Sequence, residues 1–87
     1  MEQLAGMSDE QLMAQVAARD SAAFELLYDR HAPVVLGVVV KIVGDRAVGE
    51  EVLQDTYWRL WTQAASYDPA KGPLRPWLFS IARRLAL

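Results

Sequence analysis

The sequence contains no cysteine and a single histidine, and both shortages limit the chemistry open to the chain. Without thiols it forms neither disulfides nor thiolate metal sites. The one histidine, His31, lies between Tyr28 and Pro33 in an otherwise apolar run with no second ligand at helical spacing. We interpret it as a helix-surface or core-edge residue and not as a metal ligand or a base.

The sequence also lacks a catalytic constellation. No Ser–His–Asp set can be placed on one surface, and there is no glycine-rich phosphate loop. The acidic residues Glu50, Glu51 and Asp55 have no Glu-x-x-His partner of the kind that builds carboxylate metal centres. We therefore expect no enzyme activity, no bound metal and no cofactor.

Targeting and membrane segments are missing as well. The N-terminus has no basic segment followed by an apolar stretch, so no signal peptide is predicted. The most apolar run, residues 34–40, ends at Lys41 and is far shorter than a bilayer span. With the lack of cysteine, these features predict a cytoplasmic protein without membrane insertion.

What the sequence does contain is unevenly distributed charge. Residues 1–68 carry 11 acidic and 5 basic side chains, a balance of −6, whereas residues 69–87 carry no acidic residue and 4 basic ones. The first part repels phosphate and the second attracts it. A chance cluster of basic residues at the end of a short chain is the alternative interpretation.

Aromatic residues are concentrated beside these basic residues, six of the eight falling between residues 57 and 79. Rings next to guanidinium groups suit single-stranded nucleic acid, because bases stack on the rings while the cations hold the backbone. In so small a domain, Tyr57, Trp61 and Trp77 are expected in the core. Tyr67, in a loop rich in turn formers, is the better candidate for touching a base.

Hydrophobic periodicity predicts four helices with short connections, which is an all-α compact bundle. The residues Ser8 to Gln11 have the pattern of a capping box. Pro33 is expected to kink or split the second helix. The predicted helices run from Ser8 to about Arg19, from Asp20 or Ser21 to Gly44, from about 46 to 64, and from between Pro73 and Pro76 onward, after a loose lead-in over residues 1–7.

The third predicted helix has two different faces at 100° per residue. One contains Gly49, Leu53, Tyr57, Leu60 and Ala64, and the opposite one contains Glu51, Gln54, Asp55, Trp58 and Thr62. A tryptophan ringed by carboxylates, an amide and a hydroxyl is typical of a protein-binding surface. The alternative is a solvated face whose Trp58 folds back onto a neighbouring helix.

The fourth predicted helix also has two sides. Its core stripe consists of Leu74, Leu78, Ile81, Ala82 and Leu85, and its polar side carries Arg75, Ser80, Arg83 and Arg84. Since the sequence reaches Leu87 without a helix stop signal, we expect the parent protein to continue.

Residues 21–28, 49–61 and 77–84 form three motif blocks in order along the sequence. Together these blocks resemble region 2 of extracytoplasmic-function (group IV) sigma factors of RNA polymerase. Residues 21–28 (S-A-A-F-E-L-L-Y) look like the start of region 2.1. Residues 49–61 (G-E-E-V-L-Q-D-T-Y-W-R-L-W) resemble the region 2.2 pattern A-E-D-L-V-Q-E-V-F-L-R-V-W. Residues 77–84 (W-L-F-S-I-A-R-R) resemble the W-L-F-x-I-A-R-N signature of regions 2.3 and 2.4. The resemblance covers residues 8–87, the predicted domain (regions 2.1–2.4), and region 4 is absent from this chain.

The resemblance implies a transcription initiation factor domain with two binding surfaces. Region 2.2 of the family docks on the coiled coil of the polymerase β′ subunit, which would use Glu51, Gln54 and Asp55, with Trp58 as an apolar neighbour. The loop before region 2.3 captures a base flipped from the non-template strand of the promoter minus-ten element. The implied DNA-binding residues are Tyr67, Asp68, Lys71 and Gly72 in that loop and Arg75, Arg83 and Arg84 beyond it. An anti-sigma factor is a further implied partner.

Two positions depart from the family pattern. Gly49 replaces the usual alanine, at an expected cost to the helix of about 1 kcal/mol. Arg84 replaces the usual asparagine, and because the two side chains read different base edges, the family's base preference does not carry over. A second hypothesis is a sigma-derived helical protein–protein interaction module without DNA binding.

Overall fold

The computed structural model describes residues 2–87, with side chains described from Leu4 onward. The fold is all-α, as predicted. Its helices are α1 (Glu2–Ala5), α2 (Asp9–Ala17), α3 (Ser21–Val43), α4 (Arg46–Thr62) and α5 (Leu74–Ala86), and two single 3-10 turns at Ala64–Ser66 and Pro69–Lys71 connect α4 to α5.

The helix boundaries follow from local capping. The Ser8 hydroxyl accepts from the Gln11 amide while the Gln11 side chain accepts from the Ser8 amide, so the predicted capping box is present. Asp20 caps α3 and Asp45 caps α4. Gly44 ends α3 in the left-handed conformation, φ 74°, which glycine adopts without steric cost.

Two segments differ from the sequence prediction. The lead-in predicted to be loose over residues 1–7 contains the helical turn α1, and Arg30 donates to the carbonyls of Ala5 and Met7; Met1 lies outside the described residues. The helix α3 runs through Pro33 as one element, so of the two predicted effects, a kink or a split, the split is absent. Pro33 lies on the exposed side of the helix.

The core lies where α3, α4 and α5 pack against one another, with α2 covering one side. Its fully buried side chains come from every long helix and include Leu12, Val16, Leu27, Val35, Val39, Thr56, Leu60 and Leu78. The end of α2 is tied to α4 by Arg19, whose guanidinium donates to the Trp61 carbonyl and lies over the Trp61 ring. The relative placement of the helices is thus set by long-range apolar contacts.

Candidate protein and nucleic-acid interfaces

One side of α4 is exposed along its length. Glu51, Gln54, Asp55 and Trp58 are all exposed, and Trp58 keeps 65% of its surface accessible. Within the described residues the side chains of Glu51, Gln54 and Asp55 make no hydrogen bond or ion pair. The alternative in which Trp58 folds back onto a neighbouring helix is wrong for this structure. We call these four residues the α4 face.

The opposite, buried side of α4 fixes the rotation of the helix, so the α4 face points to solvent. The predicted core residues Gly49, Leu53, Tyr57, Leu60 and Ala64 are all buried. The Tyr57 ring meets Phe24 and Tyr28 of α3 edge-on, with ring centroids 5.9 and 4.8 Å apart. Its hydroxyl donates to the Leu27 carbonyl at 3.4 Å, and burial raises the pKa of Tyr57 above its ordinary range. Rotation of α4 about its axis is therefore opposed by an aromatic cluster.

The loop between α4 and α5 encloses a pocket of about 510 Å³. It is lined by Ser66, Tyr67, Asp68, Lys71, Gly72, Pro73, Pro76 and Trp77. The Tyr67 hydroxyl donates to the Gly72 carbonyl at 2.9 Å and closes the loop on itself. Gly72 has a φ of 140°, a conformation that side chains rarely adopt. Tyr67, Asp68, Lys71 and Gly72, four of the predicted DNA-binding residues, thus meet around one cavity; we call it the loop pocket.

Tyr67 does not occupy the position that the sequence indicated. Only 9% of its surface is accessible, and its ring lies against Trp77, with centroids 5.5 Å apart and planes tilted by 59°. Burial, together with the nearby carboxylates of Glu10, Asp9 and Asp68, raises the pKa of the Tyr67 hydroxyl. Tyr67 is therefore a wall of the loop pocket and not a free ring in a flexible loop.

The two charged residues of the loop, Asp68 and Lys71, differ in what their side chains contact. The Asp68 carboxylate accepts from the Ala70 amide at 3.0 Å and caps the second 3-10 turn. Lys71 is exposed at the rim of the loop pocket. The cation is thus available to a ligand, whereas one oxygen of Asp68 already has a backbone partner.

The basic residues of α5 differ in accessibility. Arg83 and Arg84 are exposed, and Arg84 reaches back to the Ser80 carbonyl and hydroxyl, both at 3.3 Å. Arg75 is half-buried, and its Nε donates to Nδ1 of His31 at 3.1 Å. Arg75, which the sequence placed on the polar side of α5, thus has a hydrogen-bond partner on α3.

His31 is the polar residue whose role the sequence analysis missed. It is 5% exposed, with Nε2 2.9 Å from Asp9 Oδ2 on one side and Arg75 on the other. Of the two positions that the sequence left open, the helix surface is therefore excluded, and both ring nitrogens of this buried residue have a hydrogen-bond partner. A signal existed, since His31 lies between Leu27 and Val35 at spacings of four and a buried polar group requires partners. The partners were not visible because Asp9 and Arg75 are distant in sequence.

Within residues 2–87, no group of three or more His, Asp or Glu side chains is arranged to hold a metal ion. None of the described helices is long and apolar enough to cross a membrane.

Comparison with known proteins identifies the class to which this geometry belongs. The family model for sigma-70 region 2 matches residues 27–87, and the chain belongs to this family. Its relatives include the ECF RNA polymerase sigma factor SigK of Mycobacterium sp. (strain KMS), 43% identical over 76 residues that make up 87% of this chain and 39% of the relative. SigK of Mycobacterium tuberculosis (strain ATCC 25177 / H37Ra) is 37% identical over 76 residues, or 87% of this chain and 41% of the relative.

These relatives confirm the resemblance to extracytoplasmic-function sigma factors that the three sequence blocks predicted. The chain spans about two fifths of the length of the curated relatives it matches.

Proposed function

We propose that this chain is the part of a transcription initiation factor that binds RNA polymerase and opens promoter DNA at the minus-ten element. The observation that carries the proposal is that one small bundle presents two different surfaces. The α4 face is acidic with an exposed tryptophan at its C-terminal end, and the loop pocket is followed by the basic residues of α5. Such activity would take place in the cytoplasm, where the polymerase works.

The α4 face fits a large protein partner. Trp58 supplies an apolar anchor, and the unpaired side chains of Glu51, Gln54 and Asp55 supply polar contacts around it. Hot spots of protein interfaces have this composition, with an aromatic anchor shielded by polar neighbours. In the sigma family the corresponding partner is the β′ coiled coil, which we propose for this chain.

The loop pocket fits a single unstacked nucleobase. Trp77 and Tyr67 give it aromatic walls, and Lys71 places a positive charge at its rim. Extrusion of a base costs a few kcal/mol, which a pocket recovers by stacking and hydrogen bonding. We propose that the pocket takes one base of the non-template strand, with Arg83 and Arg84 contacting the phosphates of the same strand.

A binding experiment in two stages tests the proposal. The chain is first titrated with a β′ coiled-coil fragment and with core RNA polymerase, and a random-sequence pool of single-stranded DNA is then added to the complex. We expect binding to both proteins, and DNA binding by the complex that exceeds that of core polymerase alone. Absence of binding to the β′ fragment would exclude the docking surface.

A protein–protein interaction module without DNA binding is the second candidate function. It is favoured by the burial of Tyr67 and by the engagement of Arg75 with His31, which leave fewer side chains exposed to DNA than the sequence indicated. Under this hypothesis, DNA adds nothing to the complex at any salt concentration. An anti-sigma factor would be a partner under either function.

A further inference from the structure

We propose that His31 is a positioning residue that orients Arg75 toward the promoter strand. The inference rests on the proposed function, because it assigns Arg75 a contact with DNA. It starts from the partly buried chain of polar groups that joins Asp9 of α2, His31 of α3 and Arg75 of α5. We call this chain the His31 bridge.

The proton positions in the His31 bridge follow from its donors and acceptors. A guanidinium has donors only, so the 3.1 Å contact from Arg75 Nε requires Nδ1 of His31 to be an unprotonated acceptor. The proton of the neutral ring is then on Nε2, which donates to Asp9 Oδ2 at 2.9 Å. The bridge thus runs from a carboxylate through a neutral imidazole to a guanidinium.

The far end of the bridge is firmly anchored. The other oxygen of Asp9, Oδ1, accepts from Arg30 at 3.1 Å, and Arg30 also donates to the carbonyls of Ala5 and Met7 at 3.0 and 2.8 Å. His31 itself is only 5% exposed. Because the imidazole is held on both sides and packed, its Nδ1 is a fixed point for Arg75.

The His31 bridge uses only one of the three guanidinium nitrogens of Arg75. Its Nε is bonded to His31, whereas within residues 2–87 its two terminal nitrogens make no hydrogen bond. The residue directly precedes Pro76 and Trp77, which line the loop pocket. A guanidinium fixed through Nε presents its terminal nitrogens in a defined plane, the geometry with which arginine binds phosphate oxygens. Arg75 is not itself part of the pocket wall, and the bridge fixes a cation on the residue that precedes two of the pocket-lining residues in sequence.

Nuclear magnetic resonance tests the bridge directly, because His31 is the only histidine of the chain. We expect nitrogen shifts of a neutral ring protonated at Nε2, and a hydrogen-bonded Nε–H signal of Arg75 that is slow to exchange with water. That arginine signal should be lost in His31→Leu and kept in His31→Gln, whose amide offers an acceptor and a donor. A ring protonated at Nδ1, or an arginine signal unchanged in His31→Leu, would overturn the inference.

A double-mutant cycle then tests whether the effect of His31 on DNA binding depends on Arg75. Binding of the random single-stranded DNA pool is measured for the complex of core polymerase with each variant. We expect His31→Leu to weaken binding about fivefold, His31→Gln to restore most of it, and His31→Leu to change binding less than about twofold when Arg75→Ala is already present. Equal losses in both backgrounds would indicate a purely structural role and overturn the inference.

The outcomes separate this inference from the proposed function. If Arg75→Ala leaves DNA binding of the complex unchanged, the positioning role is overturned while the proposed function stands. If the unmodified chain adds no DNA binding to core polymerase, the proposed function itself fails. Circular dichroism of each variant checks folding. If His31→Leu does not fold, the positioning role is tested by comparing the DNA binding of His31→Gln with that of Arg75→Ala.

Discussion

At Trp58, a large apolar side chain stays in water although each Å² of apolar surface costs roughly 25 cal/mol when exposed. We predict that Trp58→Ala weakens binding to core polymerase by about 2 kcal/mol or more, as expected of an aromatic anchor that becomes buried when the partner binds. Because Trp58 is 65% exposed in the free chain, the melting temperature should hardly change. Isothermal titration calorimetry and thermal unfolding measure the two quantities.

The matched control for this prediction is Val34→Ala. Val34 is an apolar side chain of α3 with 42% of its surface exposed, and it is not part of the α4 face. The Val34→Ala substitution should leave the affinity for core polymerase unchanged. Equal affinities of the Trp58 and Val34 variants would remove Trp58 from the docking surface.

The hydroxyl of Tyr67 is the second side-chain group with a distinct expected effect. Tyr67→Phe removes the hydrogen bond to the Gly72 carbonyl and keeps the ring against Trp77. We expect the free energy of unfolding to fall by about 1 kcal/mol, and DNA binding of the polymerase complex to weaken because the loop pocket loses its closure. Urea unfolding and the DNA titration check the two effects.

Tyr28→Phe is the corresponding control, because Tyr28 is 40% exposed and its hydroxyl makes no hydrogen bond within the described residues. Its stability should match the unmodified chain. A Tyr67→Phe variant as stable as Tyr28→Phe would show that the Gly72 contact contributes nothing.

At the level of elements, Gly49 has a packing role where α3 contacts α4. An alanine at this position would place its Cβ 2.7 Å from Cγ2 of Val40, and a β-branched side chain has little freedom to move away. The sequence-based view that glycine only weakens the helix is therefore incomplete. Gly49 permits the close approach of α3 and α4.

We predict that Gly49→Ala lowers the free energy of unfolding by about 1 kcal/mol, because overpacking of 1–3 kcal/mol outweighs a helix-propensity gain of about 1 kcal/mol. Gly37→Ala provides the control. Gly37 lies within α3, and the added Cβ would meet nothing within 4 Å beyond its own stretch of helical backbone, so the same change there should be stabilising. Chemical denaturation of both variants, and of Gly49→Ala in a Val40→Ala background, measures the clash. A stabilising Gly49→Ala would contradict it.

The elements also show which features a sequence can predict. The two faces of α4 were predictable, because the exposed and buried sides repeat with the helical period and depend only on residues a few positions apart. The starts of α2, α3 and α4 were predictable from capping residues for the same reason. These features are local.

The features that were missed depend on contacts that lie outside the repeat of a single helix, either around the loop or between helices. Tyr67 lies in a turn-rich loop, but Trp77 and the Gly72 carbonyl give its ring and hydroxyl partners once α5 packs on α4. Likewise, His31 and Arg75 meet across 44 positions of sequence. Composition and periodicity contain no information on such pairs, so the sequence placed Tyr67 nearer to solvent than the structure does and did not reveal the partner of Arg75.

At the scale of the whole molecule, the charge asymmetry explains how one small domain combines both proposed partners. Residues 1–68 carry a balance of −6 and contribute the α4 face, whereas residues 69–87 contain 4 basic residues, of which Lys71 lies at the rim of the loop pocket and Arg83 and Arg84 are exposed on α5. The acidic part opposes binding of free DNA. Docking on polymerase would place this acidic surface against a partner, so DNA binding should appear mainly in the complex.

The salt dependence of DNA binding by the polymerase complex tests this division. Each phosphate contact of a single strand contributes about 0.7 to the slope of log K against log salt concentration. Because Arg83 is exposed and makes no hydrogen bond with its side chain within the described residues, Arg83→Ala should lower the magnitude of the slope by about 0.7. Lys41→Ala removes the same charge from an exposed position of α3 and should leave the slope unchanged. If both variants shift the slope equally, net charge governs the binding and the strand does not contact Arg83.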